Sequence, residues 1–138
     1  MTERPVLLDT CAALWLDKPH AFSDEAEAVL QSAQTTGEPV YLSPITAWEV
    51  GMLVAKGKLA LALPPMHWFS SLTGVGLSLA PLTPEILVQS SFLPGDLHGD
   101  PADRILAATA RTFGYRLMTR DRPLLDYAAA GHLQAIAC

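Results

Sequence analysis

Apolar residues fall along this chain in two rhythms. Short unbroken runs, PVLLD at 5–9, PVYLS at 39–43, GLSLA at 76–80 and RLMT at 116–119, have the length and content of strands buried on both faces. A weaker run, QAIA, lies near the end. Between the runs the pattern changes to helical spacing, and most of those stretches open on a start signal. Ser23 begins SDEAEAVLQSAQ, with acids in its first turn, and Gly37 and Pro39 end it. Ser43-Pro44 leads into ITAWEVGMLVAK, with Gly57 as its stop. Pro64-Pro65 opens MHWFSSL, Thr83-Pro84-Glu85 opens EILVQSSF, Asp100-Pro101 opens ADRILAATA, and Asp121 precedes the helix through PLLDYAAAG. CAALWL reads as a short helix directly after the first strand.

Strands alternating with helices predict an α/β sandwich with a mostly parallel central sheet. No repeat, low-complexity tract or linker interrupts the pattern, so one domain over residues 1–138 is expected. Half of the residues are hydrophobic, and mean hydropathy is +0.25. That composition is of a core-rich globular protein. The formal net charge of −5 excludes a broad basic surface as the main grip on nucleic acid. The N-terminal apolar run is too short for a secretory leader and nothing approaches a membrane span, so a cytoplasmic protein without a membrane partner is expected. Cys11 and Cys138 share no ligand spacing with the histidines and read as reduced thiols, Cys11 as a small buried group.

The acids carry the chemistry. In HGDPADR, Asp100 before Pro101 has the form of an N-cap, and Asp103 then falls at the third helical position, where an acid gains from the helix dipole. Capping alone explains either one, and it explains Asp121 before Arg122-Pro123 as well. Asp9 is harder to assign to structure, because it closes an apolar strand and Thr10 is available as a cap. Glu49 interrupts an apolar stripe formed by Ile45, Met52 and Leu53, although a solvated acid at the stripe's edge remains an alternative. A parallel α/β sheet gathers strand ends and helix starts on one edge. Carboxylates crowded there cannot all ionise unless a cation neutralises them. An all-oxygen set without a histidine or cysteine cluster suits Mg2+ or Mn2+, which serve phosphodiester hydrolysis.

Taken in order, LLDTCAALWL, SPITAWEVGMLVAKGKL, LTPEI, HGDPADRILAATAR and LMTRD resemble the PIN-domain ribonucleases, and among them the VapC-like toxins of toxin–antitoxin pairs. The likeness spans almost the whole chain. It implies a three-layer sandwich with a parallel sheet between helices, and Mg2+- or Mn2+-dependent endoribonuclease activity. It also implies a cognate VapB-like antitoxin and a homodimer. By the same resemblance Asp9, Glu49, Asp103 and Asp121 are the catalytic, metal-binding set. Asp100 is an additional acid that caps or ligates, and Thr10 and Thr119 are auxiliary hydroxyls.

Arg104, Arg120 and Arg122 are candidates for RNA contact, with carboxylate pairing on a solvated surface as the other reading. His98 reads as an ordinary loop histidine, and Trp48, Trp68 and Phe69 as core or dimer surface rather than base-stacking platforms. Two rival functions stand beside the nuclease. One is a catalytically silent binding module whose acids are caps; the other is a phosphohydrolase using Asp9 as nucleophile.

Overall fold

A computed structural model describes residues 4–18 and 21–138. The leader reading and the expected 1–138 unit both extend over residues 1–3, outside the described residues. The element order is β1 (Val6–Leu8), α1 (Thr10–Leu14), α2 (Asp24–Thr36), β2 (Val40–Leu42), α3 (Pro44–Ala55), α4 (Pro65–Gly74), β3 (Ser78–Leu79), α5 (Pro84–Gln89), α6 (Pro101–Phe113), β4 (Arg116–Thr119), α7 (Arg122–Ala129) and β5 (Gln134–Ala137). Every strand pairs in parallel, in the spatial order β3-β2-β1-β4-β5. The predicted boundaries hold for β4, whereas β2 is one residue shorter at each end than PVYLS. Of GLSLA only Ser78–Leu79 pair, whereas the weak QAIA run pairs through all four residues with β4.

Alternation along the strands builds one core on each face of the sheet. Val6, Leu8, Leu42, Met118 and Ile136 point to one side, where Ala12, Ala13, Ala26, Phe69 and Leu72 cover them from α1, α2 and α4. Leu7 and Leu117 point to the other, against Leu106, Ala107 and Ala110 of α6 and Leu124 and Tyr127 of α7. A strand covered on both sides has no polar face, which is why these segments read as unbroken apolar runs. Trp68 is half-buried against the first core and Phe69 lies within it, but Trp48 is 51% exposed and belongs to neither core. Among the described residues no helix is long and apolar enough to cross a membrane.

The strand order fixes where chemistry can happen. From β1 the chain builds outward through β2 to β3, then returns to place β4 on the other side of β1. The crevice beyond the C-terminal ends of β1 and β4 is therefore the switch point of the sheet, where open α/β folds bind their ligands. Asp9 follows β1 and Asp121 lies just beyond β4.

Candidate functional site

Asp9 is 4% exposed and both of its carboxylate oxygens are engaged. Oδ1 accepts from the Ala12 N–H at 2.7 Å, which caps α1, and Oδ2 accepts from the Thr119 hydroxyl at 2.6 Å. That hydroxyl in turn accepts from the Asp121 N–H at 3.0 Å, so Thr119, fully buried at the end of β4, ties the two acids across the switch point. Asp121 caps α7 by accepting from the Leu124 N–H at 3.1 Å. Asp100 caps α6 through the Asp103 N–H at 3.0 Å. Cap and site are not alternatives here: Asp9, Asp100 and Asp121 each satisfy a helix start, and those starts bring the acids to one edge, where the positive ends of the helix dipoles favour negative charge.

Asp103 and Glu49 cap nothing. Burial pushes the Asp103 carboxyl up to about 8, with the charges of Asp100, Asp121, Glu49 and Asp9 adding to it. Burial pushes Asp9 up to about 6, against the lowering effect of its Thr119 and Ala12 hydrogen bonds, while Asp121 and Glu49 raise it further. Glu49 is raised by burial and by Asp100, and lowered by a hydrogen bond from Thr10. The Thr10 hydroxyl also lies 3.2 Å from that of Thr46, one turn before Glu49 on α3. Thr10 thus steadies Glu49 from α1. Thr46, fully buried, escaped the sequence reading because a first-turn threonine in a helix already capped by Ser43 carries no signal of its own.

Two readings change. Cys11 is exposed, because α1 is only five residues long and its sheet side is taken by Thr10, Ala12 and Ala13. The surrounding chain still desolvates the sulfur in part although the residue is exposed, and this, with the charges of Asp9, Glu49 and Asp103, pushes the thiol up to about 11. His98 is not an ordinary loop residue: its Nε2 lies 3.4 Å from Asp103 Oδ2 and 3.5 Å from Asp121 Oδ2. The loop before α6 carried no periodicity from which this placement could have been read.

The arginines divide. Arg104 turns back to brace that loop, donating from Nε to the Ser90 carbonyl at 2.8 Å and from Nη1 to the Leu97 carbonyl at 2.9 Å. Arg120 lies with its guanidinium carbon 3.8 Å from the centre of the Trp15 ring and donates to the Cys138 and Ala21 carbonyls. Both guanidinium groups hold main chain in place. Arg122 is 79% exposed and approaches Asp126 at 3.8 Å, an i,i+4 contact worth little in water.

A cation is what this donor set asks for. Burial first, and then the charge of neighbouring acids, raises the proton affinity of Asp9, Glu49 and Asp103; among the described residues Asp103 and Asp121, with His98, lie within ligand reach of one another. Oxygen donors of this kind fit a hard divalent ion.

The PIN domain family model matches residues 6–130. Ribonuclease VapC22 of Mycobacterium tuberculosis (strain ATCC 25618 / H37Rv) is 32% identical over 123 residues, covering 88% of this chain and 91% of that protein. Solved structures share the fold. VapBC2 from Rickettsia felis, bound to a DNA fragment from its promoter, superposes with a TM-score of 0.65 at 16% identity, over 96% of this chain and 97% of that one. DNA-bound VapBC from Salmonella typhimurium gives 0.64 at 16%, over 98% of each chain. FitAcB from Neisseria gonorrhoeae gives 0.57 at 22%, over 95% and 96%. With the family pattern spanning nearly all of β1 to α7 and the acids gathered at the sheet's switch point, this chain belongs to the PIN-domain family, among the VapC-type ribonucleases.

Proposed function

We propose that this protein is a Mg2+- or Mn2+-dependent endoribonuclease, the toxin of a toxin–antitoxin pair acting in the cytoplasm, with Asp9, Glu49, Asp103 and Asp121 as its catalytic acids. The observation that supports the reading is Asp103 beside Asp121 at the switch point, its carboxyl held up near 8 by burial and by the charges of Asp100, Asp121, Glu49 and Asp9. A bound divalent ion supplies neutralisation of the phosphoryl oxygens and a polarised water for in-line attack. The chain's own part is orientation. Thr119 ties Asp9 to the Asp121 main chain, Thr10 hydrogen-bonds Glu49, and Asp100 caps the first turn of α6, on which Asp103 stands beside His98. Arg122, exposed beside Asp121, is the arginine best placed for an RNA phosphate.

The rivals fit less well. A silent module whose acids only cap helices leaves Asp103 and Glu49 without a reason to be half-buried among like charges. An aspartyl nucleophile at Asp9 would have to attack from a carboxylate that is 4% exposed and whose two oxygens already accept short hydrogen bonds, which weakens it as a nucleophile.

The solved neighbours are two-component VapBC and FitAcB assemblies, which supports a cognate VapB-like antitoxin as partner. An apolar cleft of about 1020 Å³, lined by Leu14, Leu30, Leu61, Leu63, Trp68 and Val75 among others, offers such a partner surface to cover. Exposed Trp48 on α3, with Leu87, Val88 and Phe92 along and after α5, is apolar surface of the kind a homodimer buries.

The test is cleavage of a mixed RNA substrate by the purified protein and by Asp103→Asn, with Mg2+, with Mn2+ and with chelator. Metal-dependent internal cleavage by the parent alone supports the reading. Cleavage that survives chelation or the substitution refutes it.

A further inference from the structure

His98 stands among the acids with one nitrogen turned to them, and its other nitrogen decides what the ring can do there. The Asp100 backbone N–H donates to His98 Nδ1 at 3.1 Å. A donor meets a lone pair, so Nδ1 carries no proton, and the neutral ring then keeps its proton on Nε2. Nε2 is shielded from solvent and makes no hydrogen bond; Asp103 Oδ2 lies 3.4 Å and Asp121 Oδ2 3.5 Å from it. A carboxyl group keeps an acceptor oxygen in either protonation state, so these two acids are the acceptors nearest to an Nε2 proton.

The three groups lie close enough to surround one ion, and read by proximity alone they make a mixed nitrogen–oxygen site of the sort that binds Zn2+. The Asp100 amide argues otherwise. An imidazole ligates through a nitrogen lone pair, and Nε2–H has none. Freeing it by moving the proton to Nδ1 would set two N–H groups head to head. The main chain that imposes this is itself held: Arg104 donates to the Leu97 and His98 carbonyls, and the Tyr127 hydroxyl donates to the Pro94 carbonyl.

We propose that His98 serves the acidic site as an Nε2–H donor, its tautomer locked by the Asp100 amide. In that role it positions Asp103 and Asp121 and leaves the cation an all-oxygen donor set, favouring Mg2+ and Mn2+ over Zn2+. The inference rests on the metal-site reading for its second half only. It makes His98 a positioning residue, and it gives the Asp100 main chain a duty separate from the capping done by its side chain.

Long-range 15N–1H correlation spectra of protein labelled in its histidine rings, assigned through bonds in the wild-type chain, read the tautomer directly. The expected result is protonated Nε2 and bare Nδ1 without metal, unchanged when Mg2+ or Zn2+ is added. Protonated Nδ1, or loss of the Nε2 proton on adding Zn2+, overturns the proposal. Metal titrations of the parent and His98→Gln, whose amide keeps a donor, give the second reading. Zn2+ and Mg2+ affinities are expected to move together; a Zn2+ affinity that falls by roughly 10-fold or more while that of Mg2+ stays fixed marks a lost ligand and overturns it. If Mg2+ alters neither the spectrum nor the melting temperature, the metal-site reading falls and with it the selectivity half. The tautomer in the metal-free protein still decides the donor half.

Discussion

The inner and outer halves of the acidic site are built on opposite terms. On the inside, Asp9, Thr119 and the Asp121 main chain form a closed run of short hydrogen bonds that joins β1 to β4, and every oxygen of Asp9 is used. On the outside, Asp103, His98 and the Asp121 carboxylate meet at 3.4 to 3.5 Å, with Asp103 half-buried among like charges. The inner half is complete without a ligand, whereas the outer half is the part that gains from one. Rigidity and reactivity are thus separated within a single cluster, an arrangement that holds reacting groups in place while leaving their charge to be satisfied by substrate and ion.

The sharpest way to break the comparison is to neutralise one member of the outer half. Asp103→Asn is expected to reduce RNA cleavage by at least the roughly 10–100-fold that loss of a supporting metal-site partner costs, while raising the melting temperature of the metal-free protein above about pH 8, where the parent's Asp103 is a buried like charge. A variant that melts lower and still cleaves would equate the two halves. Next in size, a divalent cation at a hundredfold excess over its dissociation constant is expected to stabilise the parent by about 2.7 kcal/mol and Asp103→Asn by far less, as read from unfolding curves.

Thr119→Val attacks the inner half. It strips a buried acceptor and a main-chain donor of their partner, and is expected to cost about 1–3 kcal/mol with or without metal. Urea titration distinguishes this uniform loss from the metal-conditional effects of the outer half. The pH dependence is more graded. Asp9 and Asp103 bind their protons more tightly folded than at the ordinary 3.8, so the metal-free fold is favoured fully below about pH 4 and loses that advantage as pH rises through about 6 and then 8. Saturating Mg2+ should flatten the curve, and a metal-free stability that climbs from pH 5 to 8 would contradict the crowding. Smallest, Arg104→Lys exchanges a fork that reaches three carbonyls for a single ammonium group. It is expected to cost on the order of 1 kcal/mol and to speed amide exchange in residues 93–99 ahead of the sheet.

What could be read from the chain follows the same division. The inner half rests on local signals: an acid closing an apolar run at Asp9, and Asp-X-Pro after RLMT at Asp121. The sheet followed from runs whose burial on both faces suppresses alternation. Edge strands were harder, since β3 keeps only two residues and β5 gains its pairing from β4 rather than from its own composition. The outer half depends on long-range placement. His98 reaches the acids through a loop braced by Arg104 and Tyr127 from other parts of the chain, and nothing in LPGDLHG announces that path. Cys11 was misplaced for a related reason, because a helix of five residues has too little periodicity to say which way its second side chain points.

The capping duty of the acids has a bearing on descent. Asparagine caps a helix about as well as aspartate, so at Asp100 and Asp121 a lineage can lose a negative charge by one conservative exchange and keep the helix start that the charge had also served. Folded but inactive descendants of such a chain lie one step away, and so does the return to activity.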